Sequence, residues 1–312
     1  MALSVLSAAI RGLHVEAIHV EVDLAFGLKA FHVVGLPDRA VKESCNRVES
    51  AIKNSGFEFP RHKVVINLAP AHLQKTGPLY DLPIAMAILM AEGIVAPQCT
   101  DSAIIVGELG LDGAIRAIHG TLPMAAFAKR SKIRTMIVPQ KNAHEAACIP
   151  GVCVIGVQNL KELVAHITSV AHVEPTPPTF LHEVSEKFLV DLADIKGQAH
   201  AKRGLEIAAA GGHNVLMHGP PGSGKTMLAR SLPSILPKLT QQEAIEITSI
   251  HSVAENNIQP GLVRTRPFRS PHHSASAVAL IGGGNHLTPG EVSLAHRGVL
   301  FLDELPEFPA YV

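Results

Sequence analysis

From residue 4 to about residue 167, short runs rich in β-branched and apolar side chains alternate with segments whose apolar positions recur every three or four residues. The runs 15–22, 30–34, 63–68, 103–106 and 135–138 predict strands, and 40–54 and 122–128 predict helices. The apolar opening, residues 1–10, predicts a first strand. It lacks the basic start of a signal peptide and runs straight into Arg11, His14 and Glu16. The longest uncharged apolar stretch, 82–91, stops at Glu92, too short to span a bilayer. This half therefore reads as one α/β domain without a membrane segment.

The pattern then changes. Residues 173–179 (Val-Glu-Pro-Thr-Pro-Pro-Thr) concentrate prolines, which favours an extended spacer over helix or central strand. We therefore expect a first domain over 1–168, a proline-rich linker over 169–188 and a second domain over 189–312. In the second domain, 199–210 predicts an amphipathic helix stopped by Gly211 and Gly212. Residues 214–218 (Asn-Val-Leu-Met-His) predict a short buried strand, and 226–236 predicts a helix carrying Met227, Leu228, Leu232 and Leu236. No internal repeat or low-complexity tract is evident.

Composition narrows the class. The 312 residues suggest two domains, and 47% hydrophobic residues suffice for real cores. Lys+Arg 27 balance Asp+Glu 27, so no global charge steers the chain toward nucleic acid, and any such contact has to be local. The cysteines, Cys45, Cys99, Cys148 and Cys153, are spaced irregularly, which disfavours a disulfide framework or a zinc ribbon and favours a reduced, cytoplasmic setting.

The strongest chemical signal sits between the predicted strand and helix: Gly219, Pro220, Pro221, Gly222, Ser223, Gly224, Lys225, Thr226. Glycines let the backbone curl until successive N–H groups point inward at a helix N-terminus, a cradle for phosphate. Lys225 is expected to reach the β- and γ-phosphates of ATP and the Thr226 hydroxyl to sit on Mg²⁺, with Met227 continuing into the helix. A P-loop needs a second strand with carboxylates, and Val299, Leu300, Phe301, Leu302, Asp303, Glu304 supplies one. Four apolar residues predict a fully buried strand with the acids at its carboxyl end, where doubly wound sheets place ligands. Asp303 is expected at the metal and Glu304 at the attacking water.

Between the two motifs, residues 256–290 hold no Asp or Glu but do hold Arg264, Arg266, Arg269, His272, His273 and His286, with Phe268 beside Arg269. Such a patch can contact nucleic-acid phosphates while Phe268 stacks on a base. Arginines reaching a neighbouring subunit's acids, or one reaching nucleotide, are the other readings. His272 and His273, as sequence neighbours, are loop residues more than metal ligands, and Gly282, Gly283 and Gly284 mark a tight turn.

Taken together, these residues resemble the magnesium-chelatase-like AAA+ ATPases of the competence-associated ComM/YifB family. Gly197-Gln198 with 207–213, then 266–284, then 289–308 carry the resemblance, and 23–39 and 67–89 are similar to that family's N-terminal Lon-protease-like domain. The resemblance implies a hexameric ring working on single-stranded or branched DNA, with Ile195, Gly197 and Gln198 near the adenine. A Lon-type protease would need a serine in the turn Gly77, Pro78, Leu79, Tyr80, Asp81 and a lysine in 118–123. Leu79 and a lysine-free segment predict a non-proteolytic domain. Family members continue into a sensor-1 strand, an arginine finger and a helical lid, whereas this sequence stops at Val312, with 309–312 departing from the usual continuation. The resemblance therefore predicts an incomplete AAA+ domain, from a frameshift or truncated gene, that binds ATP and turns it over weakly, an arginine finger contributing ~10³–10⁵ in rate. A tetrapyrrole-acting chelatase motor and a nucleotide-binding remnant that joins full-length partners are the alternatives.

Overall fold

The computed structural model describes residues 3–99, 102–179, 188, 190–254, 262–284 and 288–311. Their contacts divide them into two compact units, one over 3–179 and one over 190–254 with 262–311.

The first unit is built on a seven-stranded mixed sheet in the order β3-β4-β2-β1-β5-β8-β9. Strands β1 (Leu3–Arg11) and β2 (His14–Ala25) form an antiparallel hairpin in the register Val5↔Val20. Along β2, Ile18, Val20 and Val22 are buried while His19 and Asp23 are exposed, the period-two alternation of a strand with one face on a core. Strand β3 (Ala30–Val34) precedes helix α1 (Arg39–Asn54). Asp38 caps α1 by accepting a hydrogen bond from the Val41 amide at 2.7 Å, and Val41, Ser44, Val48, Ala51 and Ile52 form its buried stripe.

Strand β4 (Lys63–Ala69) leads to helix α2 (Asp81–Ala91), which is buried on every side from Asp81 to Met90. The apolar stretch too short for a bilayer is thus the central helix of a protein core, packed against β1, β2 and α1. No helix among the described residues is long and apolar enough to cross a membrane.

The rest of the unit contains β5 (Ala103–Ile105), the hairpin β6 (Glu108–Leu109) and β7 (Ile115–Arg116), α3 (Thr121–Arg130), β8 (Thr135–Pro139), α4 (Ala143–Ala146), β9 (Cys153–Val157) and α5 (Leu160–Ile167). The proline-rich 173–179 lies within this unit, with the Thr176 amide donating to the Val154 carbonyl and Thr179 to Ala147.

The second unit contains α6 (Ala199–Gly211), α7 (Lys225–Ile235), α8 (Gln241–Ala254), β10 (Phe268–Arg269), α9 (Ala277–Ile281), β11 (Gly282–Gly283), β12 (Thr288–Pro289), α10 (Glu291–Leu294) and β13 (Val299–Leu300). Leu192, Ile195, Leu205 and Leu228 form a small core beneath α6 and α7. The glycine turn expected at 282–284 is one arm of the β11–β12 hairpin.

Two sequence expectations change here. Residues 214–218 are not a strand, because no described strand runs beside them to share backbone hydrogen bonds, and Leu216 is 86% exposed. The run 299–302 is half-buried, with a strand only over Val299–Leu300. Its one neighbour among the described residues is β10, and a strand buried on both faces needs covering layers and partners on both sides.

Candidate nucleotide site

Residues 219–224 link the segment after α6 to the first turn of α7. Gly222 (φ 77°) and Gly224 (φ 87°) sit in the left-handed region, and Gly224 caps α7 without any side-chain hydrogen bond. Among the described residues no side chain caps the first turn of α7, which suits an anion. The Lys225 ammonium folds back over the loop and donates to the carbonyls of Gly219 at 2.9 Å and Pro220 at 3.0 Å.

The second motif meets the first. The Thr226 hydroxyl donates to Asp303 Oδ2 at 3.0 Å, while Asp303 Oδ1 accepts from the Glu304 amide at 3.1 Å. Asp303 stands just beyond β13, which pairs in parallel with β10. Glu304 adopts φ 52° and its side chain turns to His273, Nδ1 to Oε2 3.4 Å.

A cavity of about 600 Å³ opens beside the loop, lined by Gln198, Leu205, Ala208, Met217, Gly219 and Lys225 among others. Gln198 also donates to the Ser223 carbonyl at 3.2 Å, tying the start of α6 to the glycine loop. Gly197 and Gln198 form a left-handed turn that starts α6. Ile195 sits instead in the small core, with its carbonyl taken by the Lys202 ammonium, and Met227 is half-exposed on the first turn of α7.

The basic residues separate into two kinds. Arg269 forms a bidentate pair with Glu291 (2.6 and 2.8 Å), which holds that carboxyl below its ordinary range. Arg266 donates to the carbonyls of Pro237 and Arg297 at 2.7 Å each and pairs with Glu243 at 3.3 Å. These two are therefore not free cations. The acids that engage them come from α8 and α10, outside the acid-free stretch in sequence but beside it in space. His272 folds onto Ser274, 2.8 Å from its hydroxyl, and Arg264 and His272 remain exposed. His286 lies outside the described residues.

In the first unit, Leu79 occupies the turn where a serine nucleophile would stand and packs against the core. Segment 118–123 is organised by a buried acid in place of a lysine. Glu145 accepts from the Thr121 hydroxyl at 2.5 Å and from the Leu122 amide at 3.2 Å, serving the start of α3, whose own cap, Gly120, has no side chain. Sequence reasoning also missed Lys75, fully buried next to that turn with its ammonium on the Pro70 carbonyl. A lone Lys in a polar-looking loop gives no sequence signal of burial.

The family described as magnesium chelatase, subunit ChlI, matches residues 191–312, and a second description, subunit ChlI of Mg-chelatase, matches 20–142. The uncharacterized protein YifB of Escherichia coli K12 is 47% identical over 309 residues, 99% of this chain and 60% of its own length. The chain belongs to the ComM/YifB family of magnesium-chelatase-like AAA+ ATPases. The competence protein ComM of Haemophilus influenzae is 44% identical over 308 residues, covering 97% of the chain and 60% of ComM. The chain thus spans about 60% of the length of these curated relatives. A Lon protease of Chloroflexus aurantiacus is 28% identical over 142 residues, 43% of the chain and 17% of its own length, a partial similarity.

Proposed function

We propose that the chain binds ATP with Mg²⁺ at the start of α7 and, within a homo-oligomeric ring, couples the nucleotide to work on single-stranded or branched DNA. One observation carries the nucleotide reading: Thr226 and Asp303, 77 residues apart, bring a hydroxyl and a carboxylate together at 3.0 Å beside the glycine loop. Hard oxygen donors of this kind suit Mg²⁺, which keeps most of its waters and takes the rest of its shell from phosphate. No group of three or more His, Cys, Asp or Glu among the described residues competes as a metal site. Bound there, the ion would neutralise charge on the phosphates.

The chain's own groups then have distinct tasks. Backbone amides at 222–226 hold phosphate oxygens at the positive end of α7, and Lys225 exchanges its two carbonyl partners for phosphate. The cavity toward Leu205, Ala208 and Met217 receives the base, and Glu304 orients the attacking water.

The DNA part rests on the ComM relative, a competence protein, and on the exposed Arg264 and His272 as the contact candidates left once Arg266 and Arg269 are paired. The family descriptions favour a second reading, a chelatase motor acting on a tetrapyrrole, which binding of a porphyrin in place of DNA would support.

Titration of a fluorescent ATP analogue against wild type and Lys225→Ala tests the nucleotide reading. A charge-assisted phosphate contact is worth ~1.5–3 kcal/mol, so affinity should fall by ~10-fold or more. Unchanged affinity would show that the loop is not a phosphate site.

A further inference from the structure

We propose that the loop 26–29 and the entry to β4 form a contact for single-stranded DNA, with Phe26 as the base-stacking platform and Arg61 and Lys63 as phosphate partners; the inference rests on the DNA reading above and adds a contact in the first unit. The sheet topology brings these residues together. Strand β4 lies between β3 and β2, and Lys63 at its start is in register with Ala25, the last residue of β2, and with Ala30, the first of β3. The loop from Ala25 to Ala30 therefore steps over the start of β4, where Arg61 and His62 arrive.

This loop holds apolar side chains in water. Phe26 is 97% exposed and Leu28 93%. A lone exposed apolar residue is ordinary, but two in a four-residue loop rimmed by cations point to a binding surface. The His62 ring meets Phe26 edge to face, centroids 5.6 Å apart at 67°, which steadies the Phe26 ring and leaves most of it in solvent. Phe268, the stacking candidate in the sequence, is half-buried against Phe301 with centroids 6.0 Å apart. Phe26 is the more available platform.

Charge selects the occupant. Arg61 is exposed and Lys63 half-buried, and no hydrogen bond or ion pair among the described residues engages either side chain. Lys29, by contrast, is paired with Glu49 and sits over the Phe59 ring at 5.3 Å. Glu49 also holds Lys53, so this acid is already matched. The exposed Asp23 and Glu58 stand three residues from Phe26 and from Arg61 respectively. A planar anionic membrane would press on those acids, whereas a single strand can track Arg61 and Lys63 and leave them in water. Aromatic stacking beside free cations is how single strands are held without sequence preference.

Two readouts on the full chain test this. The chain has no Trp, so Phe26→Trp places one reporter in the loop. Titrated with oligo(dT) of about 20 nucleotides, its fluorescence should be quenched as bases stack on the indole, and vesicles of phosphatidylserine and phosphatidylcholine should leave it unchanged. A blue shift with vesicles and no quenching by oligo(dT) would overturn the proposal in favour of a lipid surface. In anisotropy with fluorescein-labelled oligo(dT), Phe26→Ala should weaken binding ~10-fold at unchanged salt slope, and Arg61→Ala with Lys63→Ala should lower the slope by ~1.4, the share of two single-strand phosphates. Phe26 stands almost wholly in solvent, so its removal spares the core. Wild-type affinity in Phe26→Ala, or an intact slope in the double variant, would refute this contact alone. A wild type that leaves oligo(dT) unbound would refute it together with the single-strand reading.

Discussion

Asp81 offers the sharpest test of the physical account of the first unit. It has no solvent-exposed side-chain surface, receives the Arg47 guanidinium at 2.8 and 3.0 Å, and accepts from the Leu109 amide at 3.3 Å. Burial penalises its charged form more than Arg47 favours it, pushing the carboxyl from 3.8 up to about 6. The sign follows directly. Below pH ~4 the group is protonated in both the folded and the unfolded chain, and its contribution is fully present. Between ~4 and ~6 only the folded state holds the proton, so stability falls as pH rises, and above ~6 the contribution is gone. About two pH units correspond to ~3 kcal/mol.

Asp81→Asn removes the titration while keeping an oxygen for the Leu109 amide. Relative to this variant, the wild type should lose ~3 kcal/mol of unfolding free energy between pH 4 and pH 7. Urea unfolding read through Tyr80 isolates this unit, because the chain has no Trp and two Tyr, and Tyr80 is 1% exposed. A difference that is flat with pH, or that grows in favour of the wild type as pH rises, would mean that Arg47 outweighs burial and would refute the reasoning.

The two kinds of arginine in the second unit should behave oppositely. Arg269→Ala breaks a bidentate, partly buried pair with Glu291 and should destabilise that unit by ~1–2 kcal/mol after allowance for its exposure, with Glu291→Ala less than additive in the double variant. Denaturant unfolding checks this, and an unchanged midpoint would remove the ion pair from the account. Arg264→Ala should leave stability unchanged, weaken DNA binding and lower the salt slope by about one. An intact slope would exclude Arg264 as a phosphate contact.

Much of this was legible in the sequence, for identifiable reasons. Strand β2 announces itself because Ile18, Val20 and Val22 keep a period of two, and α1 because Val41, Val48 and Ile52 keep a helical one. The backbone of the glycine loop is legible because glycine spacing encodes backbone geometry directly: Gly222 and Gly224 have positive φ. Neighbourhood is what a linear reading misses. Arg266 and Arg269 looked like an open basic patch because Glu243 and Glu291 lie outside the window in sequence, yet helices bring them within reach. Apolar character also misled at 214–218, where Leu216 is exposed and hydrophobicity alone could not say whether a strand partner is at hand. The Arg47–Asp81 and His273–Glu304 pairs span 34 and 31 residues, separations that no local pattern encodes.

The central claim is that Thr226 and Asp303 together hold the magnesium of a bound nucleotide. Its most direct test is ATP affinity with and without Mg²⁺ in wild type and in a variant carrying both Thr226→Val and Asp303→Asn. The account predicts that Mg²⁺ tightens ATP binding in the wild type and that the double variant loses this gain while still binding metal-free ATP. An equal gain from Mg²⁺ in both proteins would contradict it.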